Sequence, residues 1–243
     1  MTTWPTLSKA PIVEGLIDIR VERSAEVTIA GLKAACDELA AEFPSRVERH
    51  MIVTQLNLSP DAATRTQITD DGPDGVILNS ADGKWVAQFR LDGFTLSRLH
   101  PYGTWDELKA KAITLWTLYL TAAKPIKVVR IASRFINRVQ MPVGDPFEKT
   151  FLTNFVIGPS LPQSVVGYLL RVVIPFEEYQ AIAILTQSLD GNGTDCILDL
   201  DTFSDQPGGI SETEIWHKLD TLRDVKNRLF FGSFTEQALE QFK

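Results

Sequence analysis

Cysteine is nearly absent from this chain. Cys36 and Cys196 are the only two in 243 residues, and their wide separation frames neither a zinc site nor a disulfide scaffold. Cys36 falls in a helical pattern and Cys196 in a strand pattern, where small buried thiols are common. Histidine is as scarce: His50, His100 and His217 fall in a strand, a loop and a helix start, without the HxH or HExxH spacing that holds a metal. No metal or cofactor is therefore expected. No apolar run approaches the ~20 residues of a membrane-spanning helix. The opening MTTWPTLSKAP lacks the apolar centre of a signal peptide, so the expectation is a cytoplasmic protein without a membrane partner. There is no GxxxxGK[ST] loop and no GxGxxG opening a helix after a strand; Gly191-Asn192-Gly193 reads as a hairpin turn. No GxSxG or reactive-cysteine context occurs either. Positive charge is also short, with 24 Lys and Arg against 31 Asp and Glu for a net −7. Long-range repulsion then argues against nucleic acid as a partner.

What is present is clean patterning. Residues 11–22, PIVEGLIDIRVE, alternate Val13, Ile17, Ile19 and Val21 with Glu14, Asp18, Arg20 and Glu22, the signature of a strand with one apolar face. Ile29, Leu32, Cys36 and Leu39 carry helical spacing over 26–42, stopped by Pro44. Strands are predicted over 47–58, 85–99, 127–139, 164–174, 180–188 and 195–203, with Asp92-Gly93 turning a hairpin inside the second of these. TDDGPDG reads as a loop or an irregular hairpin end. Helices are predicted over 105–122, capped by Thr104, and over 212–230, capped by Ser211, with a short terminal helix from Thr235. PFEKTFLTNFV reads as a short helix entered through a proline. Trp116 and Phe135 sit on the apolar sides of strongly patterned elements and are the expected core anchors.

The element order repeats as strand, helix, several strands, long helix, in residues 1–124 and again in 125–243. This predicts an α+β fold in which antiparallel strands form one broad sheet covered by helices. Two such halves can merge their sheets with the opening strand of each near the centre. The TATA-binding-protein type of saddle is one such arrangement, by analogy of fold alone.

Residues 130–138, RIASRFINR, place three arginines in one strand. Every second residue shares a face, so Arg130, Ala132, Arg134, Ile136 and Arg138 lie together, while Val129, Ile131, Ser133, Phe135, Asn137 and Val139 face the core. Acids on similar faces, Glu14 and Asp18 on the first strand and Asp199 and Asp201 near the end, offer bidentate partners. If the opening strands are neighbours, Glu14 and Asp18 meet Arg134 and Arg138, with Glu14 the foremost candidate. Two readings stay open: a lattice of ion pairs that fixes register, or an arginine-lined groove for an acidic ligand or partner. Asp199 and Asp201 could serve as paired catalytic carboxylates, but no histidine or lysine lies near them in sequence, and no catalytic residue is assigned.

The segments PIVEGLIDIRVE, FRLDGFTLSRLHPYGTWDEL, RIASRFINRVQMP, ILDLDTF and WHKLDTLRDVKNRLFFGSFTEQALEQF resemble, in that order, a sporadically distributed bacterial family of about this length. Its members open with a PPIVEA-like strand and carry an LRYiNRi-like strand mid-chain. On that pattern Glu14, Arg134, Asn137 and Arg138 match the family's polar positions. Ser133-Arg134-Phe135 stands where the family often has Leu-Arg-Tyr, and His217-Lys218-Leu219 departs from its Leu-His pair. The resemblance carries no activity with it. The half-open sheet and the absence of catalytic motifs fit a non-enzymatic binding or regulatory protein with another protein as partner, and the resemblance implies a component of an accessory system. The second expectation is an enzyme or carrier for a small acidic ligand held between sheet and helices. Candidate binding residues are Glu14, Asp18, Arg130, Arg134, Asn137 and Arg138.

Overall fold

The structure, a computed structural model, describes residues 4–57, 65–141, 146–190 and 195–243, with side chains left out at 51–57 and 65–71. Its strands are β1 (Ile12–Glu22), β2 (Ser45–Asn57), β3 (Arg65–Asn79), β4 (Trp85–Arg90), β5 (Gly93–Leu99), β6 (Lys127–Gln140), β7 (Leu169–Phe176), β8 (Ala181–Leu189) and β9 (Asp195–Ile210). Its α-helices are α1 (Ile29–Cys36), α2 (Trp105–Ala123), α3 (Glu212–Ser233) and α4 (Glu236–Leu239). All nine strands belong to one antiparallel sheet, in the order β2-β3-β4-β5-β1-β6-β9-β8-β7. The fold is thus α+β, with a broad antiparallel sheet, and the opening strands β1 and β6 lie side by side at its centre. None of the described helices is long and apolar enough to cross a membrane.

The alternation read from the sequence explains the layering. Ile17, Ile19 and Val21 of β1 and Ile131, Phe135 and Val139 of β6 are buried beneath the helices, while Asp18, Arg20, Arg130 and Arg134 point to the other side. Helix α2 starts at a full capping box: Thr104 Oγ1 accepts from the Glu107 amide, and Glu107 Oε2 accepts from the Thr104 amide at 3.0 Å, satisfying two otherwise orphaned donors. Trp116 and Phe135 are both buried, at 3% and 2% exposure. Trp116 stacks on Tyr119, and the edge of Tyr102 meets Phe135. Cys36 and Cys196 are free and buried.

Several boundaries differ from the sequence reading. The first helix covers only Ile29–Cys36, capped by Thr28 Oγ1 accepting from the Gly31 amide, and passes into a 3₁₀ turn at Asp37–Leu39. TDDGPDG is no loop. It lies within β3, where the β2–β3 register shifts around His50 and Gly72 takes a φ of 87°; a bulge absorbs the glycine and the proline without ending the strand. PFEKTFLTNFV holds only the three-residue turn Phe147–Lys149, after which Phe151 makes a bridge to Phe234. The strand expected at 164–174 begins at Leu169 and runs through Pro175, which the edge position of β7 allows because no ladder there needs a further N–H. Ser211 occupies the N-cap of α3, but its hydroxyl meets Glu214 and not a backbone amide. Residue 58 and the Gly191-Asn192-Gly193 turn lie outside the described residues.

Candidate functional site

On the open face the arginine stripe resolves into ion pairs. Arg134 grips Asp199 with two bonds, Nε to Oδ1 at 2.8 Å and Nη2 to Oδ2 at 2.5 Å. Arg138 reaches Asp195 and Asp190, each at 2.6 Å. Arg130 sits among Asp18 at 3.2 Å, Asp205 at 3.5 Å and Asp201 at 3.6 Å, with its guanidinium over the Phe203 ring. The expected pairing of Arg134 and Arg138 with Glu14 or Asp18 is therefore wrong. Strand β6 has two neighbours, and β9 sets Asp201 directly across from Arg134 and Asp199 one step along, whereas β1 sets Leu16 across from it. Glu14 lies across from Ile136 and makes no ion pair among the described residues; only its field reaches Arg134.

Asp18 is the hub of the face. Its Oδ2 accepts from Arg90 Nη2 at 2.9 Å and Thr95 Oγ1 at 2.7 Å, and its Oδ1 accepts from Arg20 Nε at 3.1 Å and Arg130 Nη1 at 3.2 Å. Burial pushes the Asp18 carboxyl upward, but Arg90, Arg20 and the Thr95 hydroxyl outweigh it and hold the group below the ordinary carboxylate value. Asp201 goes the other way: burial outweighs Arg130 and Arg134 and raises it.

Asn137 does not belong to this face. It is 1% exposed on the covered side, where Nδ2 donates to the Leu198 carbonyl at 3.0 Å and Oδ1 is left without a partner. There it borders a cavity of about 250 Å³ between the sheet centre, the start of α2, the inner face of α3 and the N-terminal segment at Trp4–Ala10. The walls are largely aromatic, from Trp4, Tyr102, Trp105, Phe135, Phe230 and Phe231. Trp4 stacks on Phe231 with centroids 5.3 Å apart. Trp105 Nε1 and Lys109 Nζ both donate to Asp220, at 2.7 and 2.9 Å, which ties α2 to α3 beside the cavity.

Lys226 enters this cavity from α3. Its Nζ stands 4.0 Å from the centroid of the Phe135 ring and donates to Asn227 Oδ1 at 2.6 Å. Burial, with Arg223 adding to it, brings its pKa down to about 7 against the pull of Asp224. The sequence reading missed Lys226, yet a signal was present. Ile215, Leu219, Leu222, Lys226, Phe230 and Ser233 follow helical spacing, and the lysine occupies a core position in that row. Comparison with protein-family models and with curated proteins gives no match to this chain.

Proposed function

We propose that this protein is a non-enzymatic binding protein that takes an extended segment of another protein along the β7 edge of its sheet. One observation carries the reading: the open face turns from ionic to apolar toward β7. Pro175, Ile182 and Phe203 lie in one cross-strand row, and Val173 and Ile184 lie side by side in the next. Leu169 is 73% and Val173 50% exposed, and Leu161 and Val166 in the segment before β7 are exposed as well. Contiguous apolar surface of this kind marks interaction sites on folded proteins. No described strand pairs with the outer side of β7, so its backbone groups are available for strand addition up to Pro175.

Charge indicates the occupant. Arg171 is exposed within this surface and has no partner among the described residues, so the incoming segment should pair its apolar side chains with an acid. A β7 strand of a second copy supplies none within its own length, which reads LLRVVIPF. The central arginines are already neutralised by Asp18, Asp195, Asp199 and Asp201, which supports a protein partner over a polyanion. Such a role suits the partner-binding component of a bacterial accessory system that the sequence resemblance implies.

A photo-crosslinking residue at position 173, in protein expressed in its native host, should give an adduct of one defined mass with another protein. Arg171→Glu should abolish that adduct without changing the thermal melt. Adducts with a second copy of the chain alone, or none at all, would refute the reading.

A further inference from the structure

We propose that the cavity around Lys226 is a binding site for a small organic acid with a flat or apolar body, its carboxylate held by the lysine and its body by the aromatic walls. Three observations independent of the sheet edge lead there. First, the polar atoms are left waiting. Trp4 Nε1, Tyr102 Oη and Asn137 Oδ1 are all buried without a hydrogen-bond partner, and all three residues line this one cavity. An unpaired buried polar group is destabilising, so three in one place call for an occupant that answers them.

Second, the set is donor-rich. Lys226 spends one of its N–H donors on Asn227 and has no carboxylate within ion-pairing distance among the described residues. Trp4 can only donate and Tyr102 readily does. Together with Arg223, which also lines the cavity and whose guanidinium stands 3.9 Å from Asp224, they match an anion. Asn137 Oδ1 is the exception, an acceptor that would take a hydroxyl or N–H of the ligand. Third, the size suits a small body. About 250 Å³ corresponds to roughly eight waters at about 30 Å³ each, which matches a single-ring or short-chain acid. Ring walls favour a flat body through stacking and edge contacts.

The charge logic sets a second readout. The titratable groups bordering the cavity besides Lys226 are Arg223 of α3 and Tyr102 of the loop before α2, and Asp224 acts from α3 itself. The strand β6 and the N-terminal segment present uncharged Phe135, Asn137 and Trp4. In the empty protein Lys226 loses its proton at about 7. A bound carboxylate restores the ammonium, so binding takes up a proton above that pH. Affinity should then be constant below pH 7 and fall by up to about tenfold per pH unit above it.

The test is a thermal-shift and calorimetric titration of the full chain with benzoate, phenylacetate and hexanoate against benzyl alcohol and hexanol. At least one carboxylate should bind ten or more times tighter than its alcohol. Lys226→Met should erase that preference while leaving the alcohol unaffected. Should Lys226→Met fail to fold, Tyr102→Phe decides, with an expected several-fold loss for the carboxylate alone. Absence of binding by all three acids at millimolar concentration would overturn the proposal. So would carboxylate binding that ignores both pH and these substitutions.

Discussion

Replacing Asp18 by alanine removes the anion around which three arginines are arranged, and the consequence for each can be worked out. Arg130 keeps Asp205 at 3.5 Å and Asp201 at 3.6 Å, and Arg20 keeps Asp92 at 2.6 Å. Arg90 is the one left stranded. It is 3% exposed, and its remaining partners are the Thr95 hydroxyl and Asp92 at 3.1 Å, a half-exposed carboxylate. Breaking a buried pair costs ~3–5 kcal/mol because the other charge stays behind. The surviving Asp92 contact lowers the expectation to about 2–4 kcal/mol. In a chain of this size that is a fall of about 5–15 °C in Tm. Urea titration should show a lower midpoint with unchanged slope. Replacing Asp18 by Leu together with Arg90 by Met should recover most of the loss, since a packed apolar pair needs no desolvation. The effect must also follow pH. Asp18 titrates below its ordinary 3.8 in the folded protein. Its contribution is then whole above the unfolded value and is lost as pH falls through the folded one. The gap between wild type and Asp18→Ala should therefore stay constant down to about pH 4 and narrow as pH falls further. A loss under about 1 kcal/mol, or a gap indifferent to pH, would show that Asp18 does not organise this face.

The remaining expectations are smaller in scope. Arg134→Ala should cost about 1–2 kcal/mol, between an exposed pair and a buried one, because the Arg134 side chain is 42% exposed while that of Asp199 is only 18% exposed; a melt lowered by more than about 8 °C would contradict this. Phe135→Ala and Trp116→Ala should each cost ~3–5 kcal/mol by denaturant titration, as truncations of large buried rings. Gly15→Ala should destabilise by ~1–3 kcal/mol through overpacking, since its new Cβ would stand 2.7 Å from Tyr102 and 2.8 Å from Phe135. Lys226→Met should stabilise the protein more at pH 6 than at pH 9.5. Folded Lys226 releases its proton near 7 and unfolded lysine near 10.5. Unfolding takes up a proton between those values, so the wild type gains stability as pH rises through the window, by at most on the order of 4–5 kcal/mol.

The sequence made strand faces legible wherever one side is apolar. In β6 the division into Arg130, Arg134 and Arg138 on one side and Ile131, Phe135 and Asn137 on the other holds from Arg130 onward; Val129, expected with the core-facing set, does not follow it, because a register shift before Arg130 buries Val128 instead. Alternation assigns a face and leaves the neighbour unassigned. Acids stood on both β1 and β9, and only the register of the assembled sheet decides that Asp199 serves Arg134 while Glu14 does not. Gly72-Pro73 misled for a related reason, because two turn-forming residues are read locally as a chain reversal while long pairing on either side accommodates them as a bulge. Lys226 was obscured differently. A single lysine in the apolar row of an amphipathic helix reads as a long side chain reaching solvent. Only the packing of α3 against Phe135 and Trp105 shows that it stays inside.

Both proposed surfaces lie where the two halves of the chain differ. In the first half α1 leads into four strands, and it packs against α2 and β3 to close the covered face. In the second half the corresponding position holds only the turn at Phe147–Lys149 and the stretch leading to β7, and three strands follow. The sheet ends in β2 on the side of the first half and in β7 on the side of the second. Without a counterpart of α1, the seam between α2 and α3 is closed by the N-terminal segment, which is fastened by the Lys9 amide on the Phe242 carbonyl at 3.0 Å and by Trp4 on Phe231. Leu7 of the same segment also packs against the core beneath α3, so this wall is built into the fold by a backbone bond, a ring stack and apolar burial together. The edge at β7 has no such cover. The two surfaces thus differ in kind: an open strand edge suits an extended chain, and a pocket walled by the N-terminal segment suits a small acid.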